Sequence, residues 1–398
     1  PEKTTVVGNP VRPEVLTADR SAARAKLNAG NRTVILSFGG SLGADRINQV
    51  VADLCAWEKQ THRNVLHLHA TGSRGVKLFE GLEKEKGFAP GENLVVTEYI
   101  NNMPQLLAAA DLVIARSGAL TLAELEAVGR ASVLIPSPNV AENHQYYNAL
   151  ELQKAGAAVV IEEKNLTGDG LVKTVEELLC VLGGYVVGSV NPSYIIARIK
   201  GFDIRTKGSK NAGASNAVIT MGKWVGIFSA LFDIFKAFAV TRLAEFLFPE
   251  CSLAFALSGS ACILGHIFPA LLGFRGGKGL ACLAGVLLSF DWRLFLVFLG
   301  AEAVIVLVTD YICFVPMTAS VAFTAVYAVL TKNALGTLAF TVATLAILFR
   351  HLDNLKRIKS GDEAHFSLLW KRQEEVKRIG LEEEDRKWQS RNKHEEDN

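Results

Sequence analysis

Seven apolar segments fill the chain between residues 179 and 350, and they limit what this half can fold into. Because lipid offers the backbone no hydrogen-bonding partner, apolar segments of about 20 residues cross a membrane as α-helices. The fourth segment is short, and Asn191 and Pro192 interrupt the first. The pattern predicts an all-α polytopic membrane domain of about seven transmembrane helices. The segments are 179–199, 219–247, 252–273, 279–290, 294–312, 313–331 and 335–350.

Lysine and arginine residues are distributed unevenly among the loops between these segments. They fill the loop after the first segment, the loop after the third and the region after the last. With seven spans these three regions lie on one side of the membrane, and the positive-inside rule makes that side the cytoplasm. The sequence therefore predicts a multi-pass protein with its basic loops in the cytoplasm.

Residues 1–178 have a different pattern, in which short β-branched runs alternate with helical stretches. Such alternation is typical of an α/β fold whose parallel sheet is covered by helices on both faces. Ligands bind at the carboxyl ends of the strands in these sheets, so the loops that follow the strands are candidate functional segments. The predicted strands are 33–38, 64–69, 94–97, 112–115, 132–135 and 158–161, and the predicted helices include 121–128 and 143–154.

Composition excludes several classes of function. The net charge is only +2 and no basic face is present, so we expect no nucleic acid among the partners. The six cysteines are scattered without a C-x-x-C pair, which supports neither a disulfide framework nor a metal site. The chain begins at Pro1 without a preceding signal-peptide pattern, which favours a piece of a longer reading frame.

Three polar motifs of the first half follow strands and open helices. Residues 39–44 (GGSLGA) offer glycines that let a phosphate approach the backbone at a helix N-terminus. In the second motif, residues 116–121 (RSGALT), the following Glu124 either forms a capping box with Thr121 or accepts hydrogen bonds from a ribose diol. The third motif, 136–148, places amides at the start of another helix, where they either cap that helix or bind a ligand.

Together with residues 8–12 (GNPVR), 99–103 (YINNM) and 143–149 (NHQYYNA), these motifs resemble the peptidoglycan GlcNAc transferase family (MurG type) over roughly residues 4–178. That family adds GlcNAc from UDP-GlcNAc to a lipid-linked muramoyl-pentapeptide. The resemblance implies the C-terminal, donor-binding Rossmann-like half of a GT-B fold, with UDP-GlcNAc as its ligand. It assigns Arg12 and Ser41 to the diphosphate or sugar, Ile100 to the uracil, Ala119, Leu120 and Thr121 to the phosphates, Glu124 to the ribose and Gln145 to the GlcNAc.

The N-terminal, acceptor-binding domain of that family has no counterpart in this sequence, and the first apolar segment stands in place of the family's closing helix. A GT-B enzyme works in the cleft between its two domains. The first half is therefore an active transferase domain, an inactive nucleotide-binding relic or a docking module.

Three polar clusters lie on the predicted cytoplasmic side of the second half, at 205–216, 265–279 and 351–363. Any one of them is explained by topology alone, since Lys and Arg mark the inner loops and glycines form turns. Three clusters on one face, each with Gly, a cation and Asn or His, instead indicate a site for phosphorylated substrates. Small residues expose N–H groups to anions, and ionisable groups near a membrane boundary normally have a functional reason.

With residues 188–192 (GSVNP), these clusters resemble the acyl-phosphate:glycerol-3-phosphate acyltransferase family (PlsY type) over residues 180–363. That bacterial family acts in the cell-membrane bilayer, needs no cofactor, and moves a fatty acyl group from acyl phosphate to glycerol 3-phosphate, giving lysophosphatidic acid. The resemblance implies catalytic roles for His266, Lys278, His351 and Asn354. It implies contacts with the phosphate of either substrate for Ser209, Asn211, Gly213, Asn216, Arg275, Gly276, Gly277, Arg357 and Glu363.

Two departures from this family are small: Lys210 stands where glycine is frequent, and no Arg follows Asn216 closely. Two rival classes fit less well. A transporter usually has repeated halves with broken helices near the bilayer midplane, and the D-x-x-D-G-x-x-A-R run of a CDP-alcohol phosphotransferase is missing. We therefore predict a donor-binding domain at 1–178, a membrane acyltransferase domain at 179–363 and a charged cytoplasmic tail at 364–398.

The predicted topology contains a conflict, because residues before the first span would lie outside the cell, where UDP-GlcNAc is not available. Three explanations stay open. The first segment does not cross the membrane, or the join comes from a sequencing, assembly or gene-prediction error, or the protein is a genuine fusion with a longer N-terminus.

Overall fold

A computed structural model of the chain describes residues 8–61, 63–361, 363 and 365–369. The chain divides into two compact units, residues 1–174 and 175–398. Asp362 of the third polar cluster and most of the predicted charged tail lie outside the described residues.

A parallel sheet of six strands forms the centre of the first unit, in the order β3-β2-β1-β4-β5-β6. This confirms the predicted α/β fold, and each predicted strand lies within one residue of an observed one. The first three strands are β1 (Thr33–Phe38), β2 (Val65–Ala70) and β3 (Leu94–Thr97), and the last three are β4 (Leu112–Ala115), β5 (Ala131–Leu134) and β6 (Ala158–Val160).

The helices of the first unit follow the strands closely along the chain. Strand order reverses between β1 and β4, so the crevice for a ligand is expected beyond the carboxyl ends of these two strands. Two of the glycine-containing motifs begin at these strand ends. The helices are α1 (Pro13–Thr17), α2 (Arg20–Lys26), α3 (Asp45–Gln60), α4 (Val76–Lys86), α5 (Met103–Ala109), α6 (Ala119–Val128) and α7 (His144–Lys154).

The second unit is helical. Its first helix, α8 (Gly168–Ser189), begins in the first unit and continues past the division between the two. The following α9 (Pro192–Ile199) starts a new helix because proline occupies its first position and the Asn191 side chain accepts a hydrogen bond from the Tyr194 N–H. The remaining helices are α10 (Ala214–Met221), α11 (Lys223–Leu247), α12 (Ala254–Ile267), α13 (Leu280–Phe290), α14 (Trp292–Thr309), α15 (Phe314–Thr331) and α16 (Ala334–Ser360).

Six stretches of the described chain are long and apolar enough to cross a membrane. The prediction of about seven spans therefore holds for six of the predicted segments. The fourth segment, 279–290, forms α13, whose 11 residues extend only about 16 Å at 1.5 Å per residue. The six stretches are Gly168–Ile199, Lys223–Leu247, Ala254–Leu272, Trp292–Thr309, Phe314–Thr331 and Ala334–Ser360.

Glycines of α8 allow this helix to pack very closely against α12. A Cβ added to Gly184 would lie 2.3 Å from the Ser258 carbonyl oxygen, and one added to Gly188 would lie 2.2 Å from that of Cys262. From the first contact to the second, the residue number rises by four in both helices, so α8 and α12 run in the same direction. Small residues at such spacing are typical of helix contacts in membranes, where dispersion forces favour close approach.

Candidate active sites

A cavity of about 600 Å³ lies at the mouth of the first unit's sheet, and six of the eight predicted donor-binding residues line it. It opens beside the 39–44 loop, where Gly43 has a φ of +86° and an added Cβ would meet the Thr71 carbonyl oxygen at 2.2 Å. Only glycine fits that position. The six predicted residues are Arg12, Ser41, Ile100, Leu120, Thr121 and Glu124.

Glu124 forms a bidentate ion pair with Arg12 in the wall of this cavity. Arg12 donates from Nε to Oε1 at 2.6 Å and from Nη2 to Oε2 at 2.9 Å, and hydrogen bonding to Glu124 raises the pKa of Arg12. The capping-box alternative for Glu124 is wrong, because α6 begins at Ala119 and its N-cap is Gly118. Glu124 is therefore a buried acceptor of the cavity wall.

The two remaining predicted donor residues lie outside the cavity lining. Ala119 is the first residue of α6, where backbone N–H groups have no partner within the helix. Gln145 accepts a hydrogen bond at Oε1 from the Ser137 N–H at 3.0 Å, and so ties the loop after β5 to the start of α7.

In the second unit, hydrogen bonds bring the three polar clusters together at one end of the bundle. Arg205 of the first cluster donates to the carbonyl oxygen of Leu272, within the second cluster, at 2.6 Å. Lys278 of the second cluster donates to Oδ1 of Asn354, in the third, at 2.5 Å. The clusters thus lie on one face, as the charge distribution of the loops predicts.

Asn216 organises the first cluster from within. It is fully buried, accepts from the Ser209 N–H at 2.8 Å, and donates from Nδ2 to three backbone carbonyl groups. Its side chain is thus occupied in shaping the loop. Lys210, which stands where glycine is frequent in the resembling family, has a φ of +56°, a conformation that glycine adopts more easily.

The other predicted residues of this loop are placed differently. Ser209 is exposed, and Gly213 is the N-cap of α10. Asn211 has a buried Oδ1 atom without a hydrogen-bond partner among the described residues. A buried acceptor without a partner is costly, so Asn211 is a candidate for contact with a donor from a ligand.

His266 lies beneath the Gly276–Gly277 turn of the second cluster. The N–H of Gly277 donates to the His266 carbonyl oxygen at 3.0 Å, and the N–H of Gly276 donates to that of Ile267 at 3.1 Å. A Cβ on Gly277 would lie 2.0 Å from Nε2 of His266. These two N–H groups are therefore engaged within the protein, and the glycines permit close packing on the histidine ring.

Lys278 begins a chain of polar contacts that crosses to the end of α16. Asn354 accepts from Lys278 and donates from Nδ2 to Glu363 at 2.5 Å, and Glu363 pairs with Arg357 at 2.7 Å. Burial is the largest influence on Lys278 and lowers the pKa of its ammonium to about 8. These contacts hold the Lys278 ammonium group, which loses its proton near pH 8, in the same loop as the exposed Arg275.

His351 is buried in α16 one turn before Asn354. Its Nδ1 lies 2.7 Å from the Ile347 carbonyl oxygen. A carbonyl oxygen only accepts, so Nδ1 carries the hydrogen and Nε2 of the neutral ring is left as an acceptor. His351 can therefore orient a hydroxyl group or take its proton at Nε2.

Two functional candidates were missed in the sequence analysis, namely Asp233 and Lys236 of α11. They form an ion pair of 2.6 Å with both side chains buried. The signal was available, since two charges within an apolar segment are rare and normally have a functional reason.

Comparison with known proteins matches each half of the chain to a different family. Residues 178–361 match the glycerol-3-phosphate acyltransferase family, and residues 34–180 match the glycosyltransferase family 28 C-terminal domain. The chain joins domains of two transferase families. The first match contains the first two polar clusters and the third as far as residue 361, and the second match contains most of the lining of the cavity.

Individual relatives resemble one half of the chain each. A UDP-N-acetylglucosamine–N-acetylmuramyl-(pentapeptide) pyrophosphoryl-undecaprenol N-acetylglucosamine transferase of Desulforamulus reducens is 40% identical over 181 residues, which are 45% of this chain and 48% of the relative. The protein of the same name from Desulforudis audaxviator is 46% identical over 177 residues, 44% of this chain and 47% of the relative. The chain thus spans about half the length of these curated relatives.

A solved structure resembles the other half. PlsY (YgiH), an integral membrane glycerol 3-phosphate acyltransferase in its glycerol 3-phosphate form, is 30% identical, with a TM-score of 0.45. The match covers 48% of this chain and 96% of that one.

Proposed function

We propose that the acyltransferase domain, residues 179–363, transfers a fatty acyl group from acyl phosphate to glycerol 3-phosphate. The observation that carries this proposal is the contact of Lys278 with Asn354, beside His351, at the end of the bundle where the three polar clusters meet. Both substrates carry phosphate groups, which need fixed cations and N–H donors. Arg275 and Lys278 supply the charge, Ser209 and the N-terminus of α10 after Gly213 supply the donors, and Oδ1 of Asn211 accepts from a hydroxyl group of glycerol 3-phosphate.

In the proposed reaction the 1-hydroxyl oxygen of glycerol 3-phosphate attacks the acyl carbon. A new ester C–O bond forms, the bond between the acyl carbon and the phosphate oxygen breaks, and inorganic phosphate leaves. The hydroxyl proton passes to the phosphate, while Nε2 of His351 orients the hydroxyl group. Lys278 stabilises the oxyanion that develops at the acyl carbon, and Asn354 and Glu363 hold Lys278 in place.

We further place this domain in a bacterial cell membrane with the three clusters in the cytoplasm, where both substrates would reach them. The common direction of α8 and α12 supports a path in which the chain enters the bundle at the end opposite the clusters. The first segment would then cross the membrane.

Membranes from cells that express the full chain test the acyltransferase proposal. We expect them to make lysophosphatidic acid from acyl phosphate and glycerol 3-phosphate. With acyl-CoA as the donor, we expect them to make no more lysophosphatidic acid than control membranes do. Equal use of acyl-CoA would contradict the assignment of the donor.

Acyl transfer is expected to decline as the pH rises through about 8, because Lys278 loses its charge there. Burial and then Arg357 and Arg350 lower the pKa of Lys278, whereas Glu363 and Cys313 raise it. A lysine of ordinary pKa, 10.5, would keep its charge throughout this range. The pH dependence of kcat/KM checks this, and Lys278→Arg should lack the alkaline decline near pH 8. The same decline in both proteins would exclude Lys278 as its cause.

For the family 28 domain, residues 1–178, we propose binding of UDP-GlcNAc in the cavity beside β1 and β4. Support comes from the six predicted donor residues that line one cavity. Sugar transfer would also need an acceptor-binding domain to complete the cleft. The alternative is a docking module without affinity for the nucleotide. Measurement of UDP binding by the full chain distinguishes the two, because only the proposed site binds UDP.

A further inference from the structure

A buried ion pair lies within the apolar length of α11. Asp233 and Lys236 stand one helical turn apart, and their side chains are 2% and 3% exposed. Burial of charges in a membrane is costly even when they are paired, and substitution of such a pair by neutral residues often leaves stability unchanged. Stability alone therefore does not account for this pair.

Lys236 holds the end of α8. Its Nζ donates to the carbonyl oxygens of Gly188 at 2.9 Å and Val190 at 2.6 Å. The last carbonyl groups of a helix lack partners within it, so a cation at that end supplies the missing donors. Asn191 follows directly and donates to the Ala212 carbonyl oxygen at 2.7 Å, which connects this helix end to the first polar cluster.

His266 connects the same pair to the second polar cluster. Its Nδ1 lies 3.3 Å from the Lys236 ammonium and 3.4 Å from the Asp233 carboxylate. The opposite edge of the ring faces Gly277, where an added Cβ would be 2.0 Å from Nε2. The next residue is Lys278. Displacement of the His266 ring would therefore displace the turn that carries Lys278.

We propose that Asp233 and Lys236 are positioning residues of the acyltransferase, which act through His266 on the Gly276–Lys278 turn and through α8 on the first polar cluster. This inference rests on the proposed acyltransferase function. His266 is accordingly a positioning residue as well, because its ring is buried beneath the turn. The pair would fix the distance between the two phosphate-binding clusters.

The double variant Asp233→Asn, Lys236→Met tests this inference in the purified full chain. It removes both charges of the pair together, while the two bonds to the end of α8 are lost. We expect the KM for glycerol 3-phosphate or for acyl phosphate to rise about tenfold or more. We also expect the alkaline decline of activity to move to higher pH, because a displaced Lys278 would be less buried.

If Asp233 and Lys236 had only a structural role, the double variant would yield less folded protein, but both KM values and the alkaline decline would be unchanged. That result would overturn the proposal. Lys236→Arg keeps the charge and the donors, and we expect its KM values to stay within about threefold of the wild-type values. A tenfold rise in Lys236→Arg would also count against the assignment.

The matched control is Arg242→Met, Glu245→Gln, which removes an exposed ion pair of the same spacing from the same helix. It should retain both KM values and the pH profile. Absence of lysophosphatidic acid from the wild-type reaction would instead refute the proposed function itself, and with it this inference.

Discussion

Replacement of Lys278 by alanine is expected to lower the rate of acyl transfer by roughly a hundredfold to a thousandfold. Removal of one preorganised donor to a developing oxyanion has costs of this order in other enzymes. Lys278 is also the first member of the polar chain through Asn354 and Glu363, so its removal leaves the buried Asn354 oxygen without its donor. The rate of lysophosphatidic acid formation by purified full-length variants measures the effect.

Lys200→Ala is the matched control, because Lys200 is an exposed lysine just before the first polar cluster. It removes the same charge from the same region without a contact in the proposed site, and activity within about twofold of wild type is expected. Full activity in Lys278→Ala would refute the role of Lys278. An equal loss in both variants would show a general electrostatic effect of the basic loops.

Replacement of Glu124 by alanine is expected to weaken UDP binding by about a hundredfold. Hydrogen bonds to a charged group contribute about 1.5–3 kcal/mol each, so two bonds from a ribose diol account for this loss. In the present structure both carboxylate oxygens accept from Arg12. Each carboxylate oxygen has a second lone pair that can accept from a ribose hydroxyl, and release of Glu124 would free Arg12 to contact the diphosphate. Calorimetry with UDP and the full chain in detergent measures the dissociation constant.

Glu126→Ala provides the control for this measurement, since Glu126 is exposed on the same helix. Its dissociation constant should equal that of the wild type. Unchanged UDP affinity in Glu124→Ala would refute the ribose assignment. Absence of UDP binding by the wild-type chain would favour a docking role for the family 28 domain.

Local patterns predicted the elements of both halves. Strands such as β1 and β3 have their predicted bounds, because short β-branched runs are clear signals of buried strands. The apolar segments of the second half form helices because a membrane admits few alternatives. Segment 279–290 shows the limit of this reasoning, since composition identifies an apolar helix without showing that the helix has only 11 residues.

Roles that depend on distant contacts could not be predicted. The sequence does not show that Asn216 uses its amide on its own loop, or that Gly276 and Gly277 donate their N–H groups to residues at the end of α12. Nor does it show that Arg12 and Glu124, 112 residues apart, form a pair. Motif resemblance identifies which residues matter, and only packing shows which of them still have free donors or acceptors.

The stoichiometry of a single reaction tests the central claim most directly. The purified full chain would be given labelled acyl phosphate with and without glycerol 3-phosphate, and lysophosphatidic acid, inorganic phosphate and free fatty acid would be measured together. Direct acyl transfer predicts equal amounts of lysophosphatidic acid and inorganic phosphate, with little release of either phosphate or fatty acid when glycerol 3-phosphate is absent. Release of free fatty acid at the same rate with and without glycerol 3-phosphate would contradict it.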